Sequence, residues 1–148
     1  MTRGSVDQIY RDQVILDHCR NPRNQRIIKS PDITGDAVNP FCGDEIHIQI
    51  RLGLDDLISE ISFQGEGCAI NIASGSLLSD YIKGMSILQA KDELVRFTNH
   101  MRNMDSGIDD LDESLGELSV ISQVKKFPVR IKCALLSWSA LSDILNNY

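Results

Sequence analysis

Between residues 46 and 52 the chain alternates without a break. Ile46, Ile48, Ile50 and Leu52 are apolar, and His47, Gln49 and Arg51 between them are polar. A period of two puts all the apolar side chains on one face of a strand, so this segment demands a sheet with one side covered. Gly53-Leu54-Asp55-Asp56 supplies turn chemistry. Residues 57–64 can then return as a second strand with Ile61 and Phe63 inward, and residues 33–38 can add a third. Connections this short favour antiparallel pairing.

Something must cover the apolar face, and the rest of the chain has helical patterning. Residues 6–19 carry Val6, Ile9, Tyr10, Val14 and Leu16 near helical spacing and run into Asn21-Pro22, where the residue before proline avoids helical backbone. Residues 21–33 form an irregular, mostly basic connector. Residues 68–83 are apolar at Ile70, Ala73, Leu77 and Tyr81, and Gly84 is placed to end that helix. Ser86 and Gln89 have capping-box spacing ahead of Ile87, Ala90, Leu94, Phe97, Met101 and Met104, which step by three and four. Residues 105–113 are acidic but lack the spacing of a calcium loop, and they read as a solvated linker. Ser114 and Glu117 repeat the capping pattern before a short helix. The last helix runs from Pro128, a good first-turn residue, to Asn146, with Ile131, Leu135, Trp138, Leu141 and Leu145 as its core stripe. Strands followed by helices predict one α+β domain over residues 1–148, a small antiparallel sheet with helices packed on one face.

Charge and hydropathy narrow the function. The 148 residues are 42% hydrophobic, and a chain of this size can bury a core without covalent staples. The net charge of -6 argues against nucleic acid and anionic membranes as partners, both of which call for a basic face. No apolar run approaches the ~20 residues of a membrane span, and residues 1–10 have no apolar signal core. The expected location is the cytoplasm. There the four cysteines, Cys19, Cys42, Cys68 and Cys133, remain thiols.

What those thiols do is open on composition alone, because free cysteine often serves as a small buried hydrophobe. Position favours chemistry for three of them. Cys42 and Asp44 lie in Asn39-Pro40-Phe41-Cys42-Gly43-Asp44, just before the strongest strand. Cys68 lies in Gly65-Glu66-Gly67-Cys68, just after the returning strand and at a helix start. A hairpin brings those two ends together, so Cys42, Asp44 and Cys68 should share one sheet edge. The positive end of the helix dipole at Cys68 favours thiolate, the form that binds metal or attacks sulfur. On its helix Cys133 lies about 200° from Ile131 and so need not face the main core. Arg130 and Lys132 supply positive charge beside it, with Lys125 and Lys126 nearby. There is no C-x-x-C, so the short-spacing rules for zinc do not apply.

The motifs resemble those of one family, the U-type iron–sulfur scaffolds comprising NifU N-terminal, IscU and SufU proteins. The match covers nearly the whole chain: Tyr10-Arg11, then Ile-Leu-Asp-His-Cys-Arg-Asn-Pro-Arg-Asn over residues 15–24, residues 39–44, residues 63–69, Ile82-Lys83-Gly84, and Phe-Pro-Val-Arg-Ile-Lys-Cys-Ala over residues 127–134. The resemblance implies that Cys42, Asp44, Cys68 and Cys133 are ligands of a metal or cluster. It sides with the SufU branch. Lys132 stands where IscU-type scaffolds carry histidine, Lys126-Phe127-Pro128-Val129-Arg130 replaces their Leu-Pro-Pro-Val-Lys chaperone motif, and the segment between Cys68 and Cys133 is long. Asn71 stands where the family carries serine.

That branch implies a zinc-dependent sulfur acceptor, sulfurtransferase-like. It would take persulfide sulfur from a SufS-like cysteine desulfurase and serve downstream iron–sulfur assembly proteins or apoproteins. Cys42, between Pro40 and Gly43, is the expected acceptor because a loop leaves it free to move. Two alternatives share the ligand set: a scaffold on which iron and sulfide build a [2Fe–2S] cluster, and a non-catalytic module with structural zinc. Outside the site, Cys19 reads as a partly buried thiol and His18 as a residue that can orient the following loop. His47 and His100 are expected to face solvent, Trp138 to be core, and Met101 with Met104 to pack a helix.

Overall fold

The computed structural model describes residues 12–39, 43–102 and 113–148, the last stretch without the side chains of residues 113–117 and 119. Strands β1 (Ile33–Asn39), β2 (Asp44–Leu52) and β3 (Ile58–Glu66) form an antiparallel sheet in the order β1-β2-β3. Ile48 pairs with Gly35 on one side and Phe63 on the other, and Ile50 pairs with Ile33 and Ile61. The alternation in β2 is obeyed, with Ile46, Ile48 and Ile50 all buried. The turn between β2 and β3 contains one 3-10 turn, Leu54–Asp56.

Helices α1 (Gln13–Arg20), α2 (Ala69–Ile82), α3 (Ile87–Arg102) and α4 (Pro128–Asn146) supply the second layer, with α2 and α4 lying directly on the sheet. Two glycines let them approach. A Cβ on Gly75 of α2 would sit 2.0 Å from the Phe63 ring, and one on Gly35 of β1 would sit 2.1 Å from Ile144 of α4. Polar groups join α2 to α4. Ser74 donates its hydroxyl to the Ala134 carbonyl (2.6 Å) and accepts the Trp138 indole N–H (2.9 Å). Trp138 is fully buried and stacks on Phe97 of α3 at 4.2 Å between ring centroids.

The connector is anchored rather than loose. Ser76 of α2 accepts the Arg23 N–H at 2.8 Å and bonds His18 Nδ1 at 2.7 Å. The Asn24 carbonyl takes the Phe63 N–H (2.7 Å), the Arg26 carbonyl takes the Ser62 hydroxyl, and the Gln25 carbonyl takes the Gln64 amide (3.1 Å). The connector therefore covers the outer edge of β3, which would otherwise present unpaired backbone groups.

Four expectations change. The first helix does not run continuously over residues 6–19. Asp12 has extended backbone (φ -60, ψ 131) and caps α1 by accepting the Val14 N–H at 2.9 Å, while residues 6–11 lie outside the described residues. Residues 113–126 form a 3-10 segment, Glu113–Lys126, and the Ser114 and Glu117 side chains lie outside the described residues. His100 is buried beside Phe97 rather than exposed, because the buried stripe of α3 is wide enough to take in a residue flanked by Phe97 and Met101. Cys133 is fully buried in the core, so the buried face of α4 is wider than the stripe of Ile131, Leu135, Trp138, Leu141 and Leu145, of which the last four are buried and Ile131 packs half-buried against the core. The acidic linker at residues 105–112 and Met104 lie outside the described residues. Among the described residues no helix is long and apolar enough to cross a membrane.

Candidate metal centre

The site grows from the end of the β2–β3 hairpin. Asp44 opens β2 opposite Asn39, and the next pair in register, Glu45 with Glu66, sets Gly67 and Cys68 beside it. Gly67 is the tight point. Its φ is +125, and a Cβ there would lie 2.0 Å from Asp44 Oδ1 and 2.8 Å from the Asp44 Cα. Only glycine lets the chain pass this close to Asp44 and still turn into α2.

Cys68 is the N-cap of α2, with extended backbone (φ -75, ψ 158). Its N–H donates to Asp44 Oδ1 at 2.9 Å, and its Sγ lies 3.8 Å from Asp44 Oδ2. The Asp44 carboxylate thus satisfies the N-cap N–H, the donor that a third-position side chain takes in a capping box. Asp44 is fully buried, Cys68 is half-buried, and Cys133 approaches from α4. The carboxylate oxygen and the two sulfurs all lie within 4.8 Å of one another. Donors on a tetrahedral zinc ion, at about 2.3 Å for sulfur and 2.0–2.2 Å for oxygen, would sit roughly 3.5–3.8 Å apart. A contraction of about an ångström brings this set into that geometry, and thiolates with one carboxylate suit zinc or iron. The donor set fits a metal.

Three of the four expected ligands therefore meet at one point, and Cys42 lies outside the described residues. Cys19 is a half-buried free thiol on α1 and does not belong to the cluster. Lys132 is exposed and Arg130 half-buried on the α4 turn that carries Cys133. His47 points to the open face of the sheet and pairs with Asp36 there. The burial of Cys133 was not legible in the apolar periodicity. The signal lay in Ala134, Ser137 and Ala140, small residues that let α4 settle onto its neighbours and are buried with it.

This chain belongs to the family described as the NifU-like N terminal domain, whose model matches residues 9–148. It is 41% identical over 140 residues to the zinc-dependent sulfurtransferase SufU of Bacillus subtilis (strain 168), covering 93% of this chain and 90% of that protein. It is 32% identical over 146 residues to the iron–sulfur cluster assembly scaffold protein IscU of Streptococcus pyogenes serotype M1, covering 98% and 87%. Among solved structures, one described as an iron–sulfur cluster assembly scaffold protein for the SUF system of Fervidobacterium islandicum AW-1 superposes with a TM-score of 0.83. That pair shares 27% identity over 95% of this chain and 99% of the other. The NifU-like N-terminal protein of Brucella abortus shares the fold (TM-score 0.77, 18% identity).

Proposed function

We propose that this chain is an iron–sulfur cluster assembly protein that works as a single domain in the cytoplasm and accepts sulfur from a cysteine desulfurase in a zinc-dependent manner. The observation that carries the reading is the meeting of Asp44, Cys68 and Cys133 within 4.8 Å at the buried end of the hairpin. The likeness to a zinc-dependent sulfurtransferase over 93% of the chain supports it. Cys42, two residues before Asp44, completes the proposed ligand set. Bound zinc would hold the sulfurs as thiolates, ready and protected.

The residues then divide the work. Asp44 and Gly67 fix the end of α2 and with it Cys68. Cys133 is held by the packing of α4. Arg130 and Lys132 offset the negative charge that three thiolates and a carboxylate leave around a divalent ion. Cys42 is the acceptor. Its thiolate attacks the outer sulfur of the desulfurase persulfide, the S–S bond of that persulfide breaks, and the desulfurase cysteine leaves as thiolate while Cys42 becomes the persulfide. The sulfur then passes to downstream iron–sulfur assembly proteins or apoproteins.

The test is a reaction with a cysteine desulfurase and cysteine, followed by peptide mass spectrometry. One added sulfur should appear first on the Cys42 peptide, and Cys42→Ser should abolish transfer while leaving docking intact. Early labelling of Cys133, with Cys42→Ser still active, would reject the mechanism. The IscU relative at 32% identity favours a second reading, a scaffold that builds and hands on a [2Fe–2S] cluster. Elemental analysis and a visible spectrum of protein purified without added metal separate the two: zinc without colour supports sulfur acceptance, and iron with sulfide charge-transfer bands supports the scaffold.

A further inference from the structure

Asn71 is fully buried in the first turn of α2, and only half of its amide is engaged. Nδ2 donates to the Glu66 carbonyl at 3.2 Å, while Oδ1 has no hydrogen-bond partner among the described residues. Buried polar atoms are nearly always paired, so an unpartnered carbonyl oxygen calls for a physical account.

Its place in the helix says which donor it can serve. With Cys68 as N-cap, Asn71 is the third helical residue, the position whose side chain reaches back to the N-cap N–H in a capping box. The bond to Glu66, two residues before the cap, shows that this side chain does reach back over the helix end. The Cys68 N–H is already taken, however, by Asp44 Oδ1 at 2.9 Å. Two acceptors stand ready for one donor, and one of them is also a candidate metal ligand.

We infer that Asn71 is a stand-by cap, a positioning residue that takes the Cys68 N–H when the Asp44 carboxylate leaves it. The inference rests on the reading of Asp44 as a ligand and deepens it. A carboxylate that holds both a helix end and a metal cannot let go of one without disturbing the other. Asn71 uncouples the two, so Asp44 can shift between backbone and metal while Cys68 keeps its place. Asn71 need only turn its side chain, because its backbone is fixed in the helix.

The experiment is amide hydrogen exchange at Cys68, read by NMR on the full metal-free chain. It compares the wild type with Asp44→Ala, Asn71→Ala and the double variant. Each single variant should leave the Cys68 amide protected to within about threefold, and the double should speed its exchange roughly tenfold, the scale of a lost helix cap. Asp44→Ala alone exchanging as fast as the double would overturn the inference. A second readout needs no change at residue 71. In Asp44→Ala the Asn71 side-chain carbonyl carbon should shift downfield as Oδ1 gains a donor, and an unmoved resonance would overturn the proposal equally. Zinc titration of the wild type is scored separately. A chain that binds no zinc would remove the metal reading and leave the capping result standing, so the two failures are distinguishable.

Discussion

Gly67→Ala isolates what the hairpin end contributes. The added methyl meets two obstacles that cannot be relaxed together. It falls 2.0 Å from Asp44 Oδ1 and 2.8 Å from the Asp44 Cα, a backbone atom, and the residue sits at φ +125, where side chains are strained. The strained backbone costs about 1–3 kcal/mol. Expelling Asp44 trades its charged bond to the Cys68 N–H for the neutral one that Asn71 would supply, a loss of about 1 kcal/mol. Gly84→Ala is the control. Its φ is +92 and a Cβ there meets nothing within 4 Å, so it carries the backbone cost alone. The difference between the two variants, about 1 kcal/mol in urea unfolding of the metal-free protein, is the share due to Asp44. For a chain this long that corresponds to roughly 2–4 °C in Tm. Metal content should fall in Gly67→Ala and hold in Gly84→Ala. Equal stabilities for the two variants, with Gly67→Ala binding metal like the wild type, would refute the reasoning.

Cys68→Ser and Cys133→Ser should each lose most of the bound metal measured by elemental analysis, while Cys19→Ser stays near one ion per chain; the reverse order would dismantle the assigned site. Chelation should lower the Tm without unfolding the chain, because the core of buried isoleucines, Phe63, Phe97 and Trp138 closes without the ion; an unchanged Tm after verified metal removal would show that the site carries no stability. Tyr81 donates to Glu93 Oε1 at 2.5 Å, and burial, together with that carboxylate, pushes its pKa up to about 12 from 10.0. A raised acid holds its proton longer folded than unfolded, so this contribution is intact below pH 10 and is lost as pH rises toward 12. Tyr81→Phe should flatten the fall of Tm over that window, and an identical pH profile would exclude the pair as its cause.

The elements whose partners are chemically unlike were legible in the residues. β2 has water on one side and helices on the other, so Ile46, Ile48 and Ile50 announce it, and α4 starts at Pro128 where a proline fits best. The meeting of Asp44 with Cys68 followed from hairpin geometry, which needs only strand lengths and a turn. Periodicity found α2, with Ile70, Ala73 and Leu77 buried, but marked no outside where an element is covered on several sides. α2 buries Asn71, Ser74, Ser76 and Ser79 along with Ile70 and Leu77, so no polar stripe marks an outside. On α4 the same ambiguity made Cys133 look peripheral, and packing buries it beside a stripe that the pattern did pick out. His100 was misread for a related reason: histidine looks polar in a pattern, yet its ring packs against Phe97 like any other.

The three donors come from strand β2, the start of α2 and the body of α4, so the centre records an order of events during synthesis. A nascent chain that has emerged through Cys68 presents Cys42, Asp44 and Cys68 of the proposed ligand set but not Cys133. Cys133 arrives with α4, seconds later at roughly 5–20 residues per second. Until that helix docks, a metal held by the hairpin would lack the Cys133 thiolate and exchange more readily. On the proposed ligand set, firm retention of the ion would report that α4 has docked, and a chain arrested before Cys133 would be distinguished by losing it.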